Sequence, residues 1–258
     1  MTAAARARTP LVAANWKMHL VAAEATAFCR ALLAAERPTR VEAAIFPSYT
    51  LLPAVAAALA GSEIGVGGQD LHPDDSGAHT GDVSGAQLRD AGCGWVIVGH
   101  SERRRDHGED DATVAKKLAA AARHGLRAIL CLGETREERR GGATFAVLER
   151  QLAAALATAP GSAADWVVAY EPVWAIGTGD TATPAQAQEA HAFLRERVAA
   201  LAPGALAGEL RLLYGGSVKP DNAEELARQP DVDGFLVGGA SLDAAKFLAI
   251  IHGCAAGR

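Results

Sequence analysis

Eight short apolar segments, each followed by a longer stretch of chain, constrain the fold of this 258-residue sequence more than any other feature. Each segment is almost continuously apolar, which is typical of strands that are buried on both faces. The predicted strands are Leu11–Trp16, Val41–Phe46, Ile64–Gly68, Trp95–Gly99, Ala128–Leu132, Trp166–Tyr170, Leu210–Tyr214 and Gly234–Val237. Amphipathic stretches between them predict helices over Ala22–Glu36, Ala112–His124, Phe145–Thr158, Pro184–Leu201 and Ala244–Ile251.

The regular alternation of strand and helix predicts a parallel sheet. Eight units favour closure into a single (β/α)8 barrel, and about 250 residues is the usual length of one. The alternative is an open, doubly wound sheet, which would have a glycine-rich turn after its first strand. The residues there, Ala13 to Lys17, contain no glycine. We therefore expect one domain over residues 1–258, with residues 1–9 as a flexible N-terminal extension.

Charge and cysteine usage narrow the class of protein. The net charge is −5 and the isoelectric point is near 5.9, so we expect neither nucleic acid nor an anionic membrane as a partner. No apolar run approaches the roughly 18 residues of a membrane span. The four cysteines, at 29, 93, 131 and 254, are scattered without metal-ligand spacing. They are typical of reduced thiols, and we expect a cytoplasmic location.

Polar residues stand at the ends of three predicted strands. Asn15 and Lys17 follow the first strand, His100 follows the fourth, and Glu171 follows the sixth. In a parallel barrel these strand ends meet at one face, where catalytic groups collect. Taken singly, each has a structural explanation: a solvated loop lysine, a hydrogen-bonded histidine, or a surface ion pair. Together they predict one site that holds a cation, an imidazole and a carboxylate.

Two glycine-rich loops predict an anion-binding region. Gly215-Gly216-Ser217 follows the seventh strand, and Gly238-Gly239 follows the eighth. Barrel enzymes often bind phosphate between these two loops through backbone N–H groups. Glycine lets the backbone approach a ligand closely, although glycine is also common in plain tight turns.

A hinged lid is predicted after the sixth strand. The small residues of segment 175–179 carry one apolar side chain, Ile176, and follow the stiff Pro172 and the bulky Trp174. Such a segment suits a loop that moves as a rigid piece over a site. An ordinary exposed loop is the alternative, but it would not favour Trp174 or Ile176.

Five segments of this sequence resemble the signatures of the triosephosphate isomerase family, in that family's order and spacing. They are Asn15–Met18, Val98–Arg104, Cys131–Thr135, Ala169–Gly179 and Tyr214–Val218. The resemblance covers about residues 10–252 and implies the TIM-barrel fold. It also implies interconversion of D-glyceraldehyde 3-phosphate and dihydroxyacetone phosphate, with neither metal nor organic cofactor.

The resemblance implies a role for each candidate residue. Glu171 would move the proton between carbons, and neutral His100 would hydrogen-bond the carbonyl and the enediolate. Lys17 would be the fixed cation, with Asn15 beside it and Glu102 supporting it. The remaining implied residues bind substrate: Gly177, Ser217, Gly238 and Gly239 through phosphate, and Ile176 and Leu236 as an apolar clamp over the base.

The resemblance further implies a homodimer. Residues 69–82 resemble a long loop that inserts into a neighbouring subunit and brings Thr80 to the neighbour's Asn15 and Lys17. Several positions depart from the family pattern: His19 and Leu20 replace Asn and Gly, His79 replaces an aromatic residue, Asp82 replaces Glu, and Asp180 replaces Lys. None of these belongs to the implied catalytic set.

Two other functions are compatible with the sequence. An isomerase of a four-carbon ketose phosphate would use the same base, electrophile and phosphate loops. A phosphate-ligand binding protein without catalysis would need no carbon base, and so would not require Glu171. Turnover of each sugar phosphate by the purified protein would distinguish these functions.

Overall fold

A closed barrel of eight parallel strands forms the centre of the computed structural model, which describes residues 8–176, 181–202, 204 and 206–258. The strands are β1 Leu11–Asn15, β2 Glu42–Phe46, β3 Gly65–Gly68, β4 Trp95–Val98, β5 Arg127–Leu132, β6 Trp166–Tyr170, β7 Leu212–Tyr214 and β8 Gly234–Val237. Each strand pairs with the next, and β8 pairs back onto β1. The predicted single (β/α)8 barrel is confirmed.

Helices surround the barrel. In the described residues they are α1 Ala22–Ala34, α2 Leu52–Ala58, α3 Gly85–Asp90, α4 Ser101–His107, α5 Asp111–Arg123, α6 Arg136–Arg140, α7 Thr144–Leu156, α8 Pro184–Leu201, α9 Leu206–Glu209, α10 Ala223–Ala227 and α11 Ala244–Ala256. Single 3₁₀ turns cover Tyr49–Leu51, Val173–Ala175 and Gly239–Leu242. Among these described segments, no helix combines the length and the apolar character needed to cross a membrane.

The sequence located the long elements and missed the short ones. The predicted helix Pro184–Leu201 is confirmed at both ends, and Thr183 caps it by accepting a hydrogen bond from the Gln186 N–H. The prediction for α11 was too short, since Cys254 and Ala255 continue its buried face. The prediction for β7 was too long, because the Leu210 N–H still bonds to the Leu206 carbonyl in the preceding helical turn.

The N-terminal segment is attached to the barrel at Arg8. Its guanidinium lies 2.8 Å from the buried carboxylate of Asp233 and donates to the carbonyls of Gly208 and Pro230. We expected residues 1–9 to be a flexible extension, but Arg8 is anchored by these contacts. Residues 1–7 lie outside the described part of the chain.

Alternate residues of each strand face the inside of the barrel. The interior cluster is wholly buried and contains Leu11 and Ala13 from β1, Val167 and Ala169 from β6, and their counterparts on other strands. The intervening residues, such as Val12 and Val168, belong to the larger core between barrel and helices. Continuing the two-residue period past Ala13 and Ala169 places Asn15 and Glu171 on the inner side of the C-terminal mouth.

Two glycines leave room for Glu171 at this mouth. A Cβ on Gly133, at the end of β5, would lie 1.7 Å from the Glu171 carbonyl oxygen. A Cβ on Gly215, at the end of β7, would lie 2.9 Å from the Glu171 Cγ. The strands on either side of β6 therefore end in the residue that allows Glu171 to sit inside the barrel rim.

A buried ion cluster ties the third strand's loop to α5. The Lys117 ammonium lies 2.7 Å from Asp70 and 2.6 Å from Glu109, and the Arg103 guanidinium contacts both carboxylates. Burial favours the neutral acid, but Lys117 and Arg103 outweigh this effect and lower the pKa of Glu109. The negative charge of two buried carboxylates is thus balanced by one buried lysine and one half-buried arginine.

Replacing Lys117 with methionine should destabilise the fold. The variant Lys117→Met leaves Asp70 and Glu109 with less positive charge in a buried site, which typically costs about 3–5 kcal/mol. The matched control is Lys116→Met, since Lys116 is exposed on the next position of the same helix. Urea unfolding at equal protein concentrations measures both. Equal free energies of unfolding for the two variants would contradict the assigned role of the cluster.

Candidate active site

A cavity of about 660 Å³ opens at the C-terminal mouth of the barrel. Nine of the predicted site residues line it: Asn15, Lys17, His100, Glu171, Ile176, Ser217, Leu236, Gly238 and Gly239. Glu102 does not line the cavity and lies on the far side of Lys17. Gly177 lies outside the described residues. The structure therefore brings together residues from the ends of β1, β4, β6, β7 and β8, as expected of a barrel enzyme.

Glu171 is the buried carboxylate of the site, with 2% of its surface exposed. Its Oε2 accepts a hydrogen bond from the Ser101 N–H at 2.9 Å, and its Oε1 lies 3.0 Å from His100 Nε2. Its backbone N–H donates to the Leu132 carbonyl, which continues the pairing of β6 with β5. Both oxygens of the carboxylate are thus held by a hydrogen-bond partner.

His100 ends the fourth βα unit and caps the helix that follows. Its Nδ1 accepts a hydrogen bond from the Glu102 N–H at 3.2 Å, at the start of α4. A nitrogen that accepts carries no proton, so this contact places the ring proton on Nε2, which faces Glu171 and the cavity. The helix α4 begins directly after His100, and its N-terminal dipole opposes a positive charge on the ring.

His100 and Glu171 shift each other's proton affinity. Burial disfavours the charged imidazolium, but the carboxylate of Glu171 outweighs it and raises the pKa of His100. Burial likewise favours neutral Glu171, but His100 and the Ser101 N–H outweigh it and lower the pKa of that carboxyl. Glu171 is therefore a weaker base in this arrangement than an ordinary glutamate, because its carboxylate is hydrogen-bonded.

The loop after β1 holds a lysine in an uncommon backbone conformation. Lys17 has φ of +52°, in the left-handed region that non-glycine residues seldom occupy. Two hydrogen bonds fix it: the Lys17 N–H donates to the Asn15 Oδ1, and the Gln69 amide donates to the Lys17 carbonyl. The Lys17 ammonium lies 2.5 Å from the Glu102 carboxylate. The backbone strain thus positions one cation at the rim of the cavity.

The opposite side of the cavity is built from the β7 and β8 loops. Gly239 begins a 3₁₀ turn, and the buried hydroxyl of Ser241 contacts the carbonyls of Val237 and Gly238, which fixes this turn. Ser217 faces it from the other loop, and the Asn222 amide donates to the Ser217 carbonyl. Sequence reasoning missed two cations on this side, Lys219 and Lys246, which also line the cavity.

The apolar part of the cavity comes from Leu236, which is buried, and Ile176, which is half-buried. Ile176 follows a 3₁₀ turn over Val173–Ala175. The indole N–H of Trp174 donates to the buried Glu134 carboxylate at 2.9 Å, which attaches this end of the predicted lid. The rest of that lid, residues 177–179, and the departure at Asp180 lie outside the described residues.

A second cavity, of about 700 Å³, lies at the opposite end of the barrel. Three of its charged residues pair with each other: the Glu42 carboxylate binds Arg127 at 2.8 Å and Arg211 at 2.6 Å. Both guanidiniums also stack over the Trp95 ring. Polar groups at the N-terminal face of a barrel usually serve stability, so the cavity at the C-terminal mouth is the candidate active site.

The arrangement at the C-terminal mouth fits proton transfer at carbon. It combines a buried carboxylate, a histidine N–H, a lysine and two loops suited to an anion. The protein-family model described as triosephosphate isomerase matches residues 10–254. The curated triosephosphate isomerase of Chloroflexus aurantiacus is 53% identical over 95% of this chain and 99% of its own length.

Two further relatives carry the same name. The triosephosphate isomerase of Moorella thermoacetica is 52% identical over 95% of this chain and 98% of its own length. That of Symbiobacterium thermophilum is 51% identical over 97% of this chain and 99% of its own length. Both the matched family model and these identities span the strands, the loops and the cavity described above. This chain belongs to the triosephosphate isomerase family.

Proposed function

We propose that this protein interconverts D-glyceraldehyde 3-phosphate and dihydroxyacetone phosphate through an enediolate. The observation that carries this proposal is the pairing of Glu171 with His100 in a cavity that also has two phosphate-type loops. Membership of the family, together with relatives named triosephosphate isomerase, supports the three-carbon substrate over a four-carbon ketose phosphate.

Glu171 is the proposed base. In the structure its carboxylate accepts a hydrogen bond from the Ser101 N–H and contacts His100 Nε2. To act on substrate, the carboxylate must leave these donors and approach the carbon. The contacts with His100 and the Ser101 N–H then no longer lower its pKa, while burial still raises it. A buried carboxylate without donors is a stronger base. It takes a proton from one carbon and returns it to the neighbouring carbon.

His100 and Lys17 are the proposed stabilisers of the enediolate oxygens. When the carbon loses its proton, negative charge develops on the former carbonyl oxygen. The His100 Nε2 proton faces the cavity, and the Lys17 ammonium supplies a fixed positive charge at the rim. Asn15 holds the Lys17 backbone, and Glu102 holds its side chain. During the reaction a second proton moves between the two substrate oxygens.

The β7 and β8 loops are the proposed phosphate site. Ser217, Gly238 and Gly239 lie where backbone N–H groups suit an anion, and Gly177 is proposed to add a fourth from the lid. A Cβ on Gly238 would lie 3.4 Å from the Lys17 side chain, so this loop also lies against the cation. Ile176 and Leu236 are proposed to cover Glu171 and exclude water during proton transfer.

We also propose that two copies of this chain form a dimer. Residues 74–82 are exposed, and Thr80 lies within this exposed run. Beside Lys17 and Glu102 a groove of about 520 Å³ opens, also lined by Met18, whose surface is 94% exposed. A two-fold dimer would place the loop of each copy in the groove of the other and cover Met18. Arg103, which also lines this groove, pairs with Asp70 and Glu109 in its own chain.

The proposed location is the cytoplasm. All four cysteines, at positions 29, 93, 131 and 254, are free and buried. Burial raises the pKa of each thiol, so the reactive thiolate is disfavoured. Thiols of this kind are typical of proteins in a reducing compartment.

The variant Glu171→Gln should keep the fold but lose nearly all turnover. Glutamine fills the same space but cannot accept a proton, and general-base catalysis typically contributes about 10²–10⁴-fold. A coupled assay with each triose phosphate measures the loss, with the exposed Glu36→Gln as control. An activity close to wild type in Glu171→Gln would exclude this residue as the base.

The same variant should change the titration of His100. In the ligand-free wild type the Glu171 carboxylate raises the pKa of His100, so the ring stays protonated to a higher pH than usual. In Glu171→Gln the two largest opposing causes are lost, and burial together with Lys17 outweighs Glu102, so the pKa should fall below the ordinary value of about 6.5. NMR titration of ring signals, assigned with His100→Asn, measures this change. An unchanged midpoint would contradict the assigned cause.

The variant Thr80→Arg should weaken the dimer and reduce activity together. Arginine is much longer than threonine, so it would not fit where Thr80 is proposed to enter the groove beside Lys17 and Met18. The control is Thr39→Arg, because Thr39 is exposed at the opposite end of the barrel. Sedimentation at micromolar concentration measures assembly, and the coupled assay measures activity. A fully active wild-type monomer would contradict the proposed need for a second copy.

A further inference from the structure

Two histidines and an aspartate lie together on the loop that joins β3 to α3. One ligand atom from each of His72, Asp74 and His79 lies within 4.8 Å of the other two. The cluster is separate from the active-site cavity, which none of the three residues lines. In the described part of the chain, no other group of three such side chains has this spacing.

We propose that His72, Asp74 and His79 bind a divalent transition-metal ion such as Zn²⁺. Two imidazole nitrogens and one carboxylate oxygen are a ligand set that suits Zn²⁺, with water in the fourth position. Tetrahedral ligands at about 2.0–2.2 Å from zinc are about 3.3 Å apart, so the three atoms must draw in by at most about 1.5 Å.

The loop backbone holds the three residues in place for this. The His72 N–H donates to the Val83 carbonyl, and the Asp82 N–H donates to the His79 carbonyl, which closes the loop on itself. The Asp74 N–H donates to the His72 Nδ1, so the ring proton of His72 is on Nε2. Metal binding through Nε2 therefore requires this proton to move to Nδ1, with loss of the contact to the Asp74 N–H. The backbone of the loop is itself already held in a closed conformation in which the three side chains lie close together.

The side chains are close to each other and free to turn. The rings of His72 and His79 are stacked at 3.8 Å and 27° from parallel, and the His79 Nε2 lies 3.1 Å from the Asp74 carboxylate. Metal binding requires the rings to rotate until both lone pairs converge. The His79 and Asp74 side chains are 37% and 62% exposed in the single chain, so contacts within that chain leave room for this rotation. Because the proposed dimer places the loop in a groove of the second copy, the rotation has to take place within that interface.

The charges around the cluster favour Asp74 as the carboxylate ligand. The neighbouring Asp75 is paired with Arg123 and His124, each at 2.8 Å. The contact of the Asp74 carboxylate is with His79, a proposed ligand of the same ion. Asp82 lies 3.8 Å from the His72 Nε2 and adds negative charge beside the site. His79 and Asp82 are also two of the positions where this chain departs from the family pattern.

Cobalt titration tests the site directly. Co²⁺ is added to full-length protein stripped of metal, and visible absorption is recorded, since cobalt in a tetrahedral nitrogen and oxygen site has characteristic bands. We expect one Co²⁺ per chain, displaced by Zn²⁺. His72→Asn, Asp74→Asn and His79→Asn should each weaken binding by more than about 10- to 100-fold, since losing even a supporting partner of a ligand costs that much.

The control is His252→Asn, which removes an exposed histidine far from the loop. It should bind cobalt as wild type does, and circular dichroism should show all four variants folded. Two results overturn the proposal: no saturable binding by wild type up to millimolar metal, or binding that is unchanged in His72→Asn and His79→Asn. Isomerase activity is not part of this readout.

Discussion

The contact of the Glu171 carboxylate with the Ser101 N–H and the His100 ring is the interaction around which the rest of the site is arranged. It joins the end of β6 to the start of α4 at the C-terminal mouth of the barrel. The two-residue period of β6 turns Glu171 inward, and Gly133 and Gly215 leave the space that it fills. The packing of the barrel rim and the proposed chemistry therefore depend on the same few positions at the strand ends.

The contact also explains how one buried carboxylate can be stable at rest and basic in turnover. At rest His100 and the Ser101 N–H lower the pKa of Glu171, and the Glu171 carboxylate raises the pKa of His100. Substrate that displaces the carboxylate would remove both causes at once, leaving a basic carboxylate and a neutral ring. Lys17 stays in place through this change because Asn15, Gln69 and Glu102 hold it independently.

Sequence reasoning was sufficient for features that depend on local pattern. Apolar runs located the strands, and the position of Glu171 and His100 at strand ends placed both residues at one mouth. It missed features that depend on distant partners. Lys246 belongs to α11 and has no local motif, yet the barrel brings it to the phosphate side. The lowered pKa of Glu171 could not be predicted from the sequence, because it depends on which hydrogen-bond donors fold against the carboxylate. The stacking of His72 on His79 could not be predicted either, because it depends on the path of a loop that lacks strand or helix periodicity.

The most direct test of the account is a crystal structure with a bound phosphate-bearing carboxylate that imitates the enediolate, compared with the free protein. We predict that the Glu171 carboxylate leaves the Ser101 N–H and approaches the ligand carbons, while the His100 Nε2 donates to a ligand oxygen. The phosphate should lie between the β7 and β8 loops. A ligand bound in this cavity with Glu171 still on Ser101 and His100 would contradict the proposal that this carboxylate is the base.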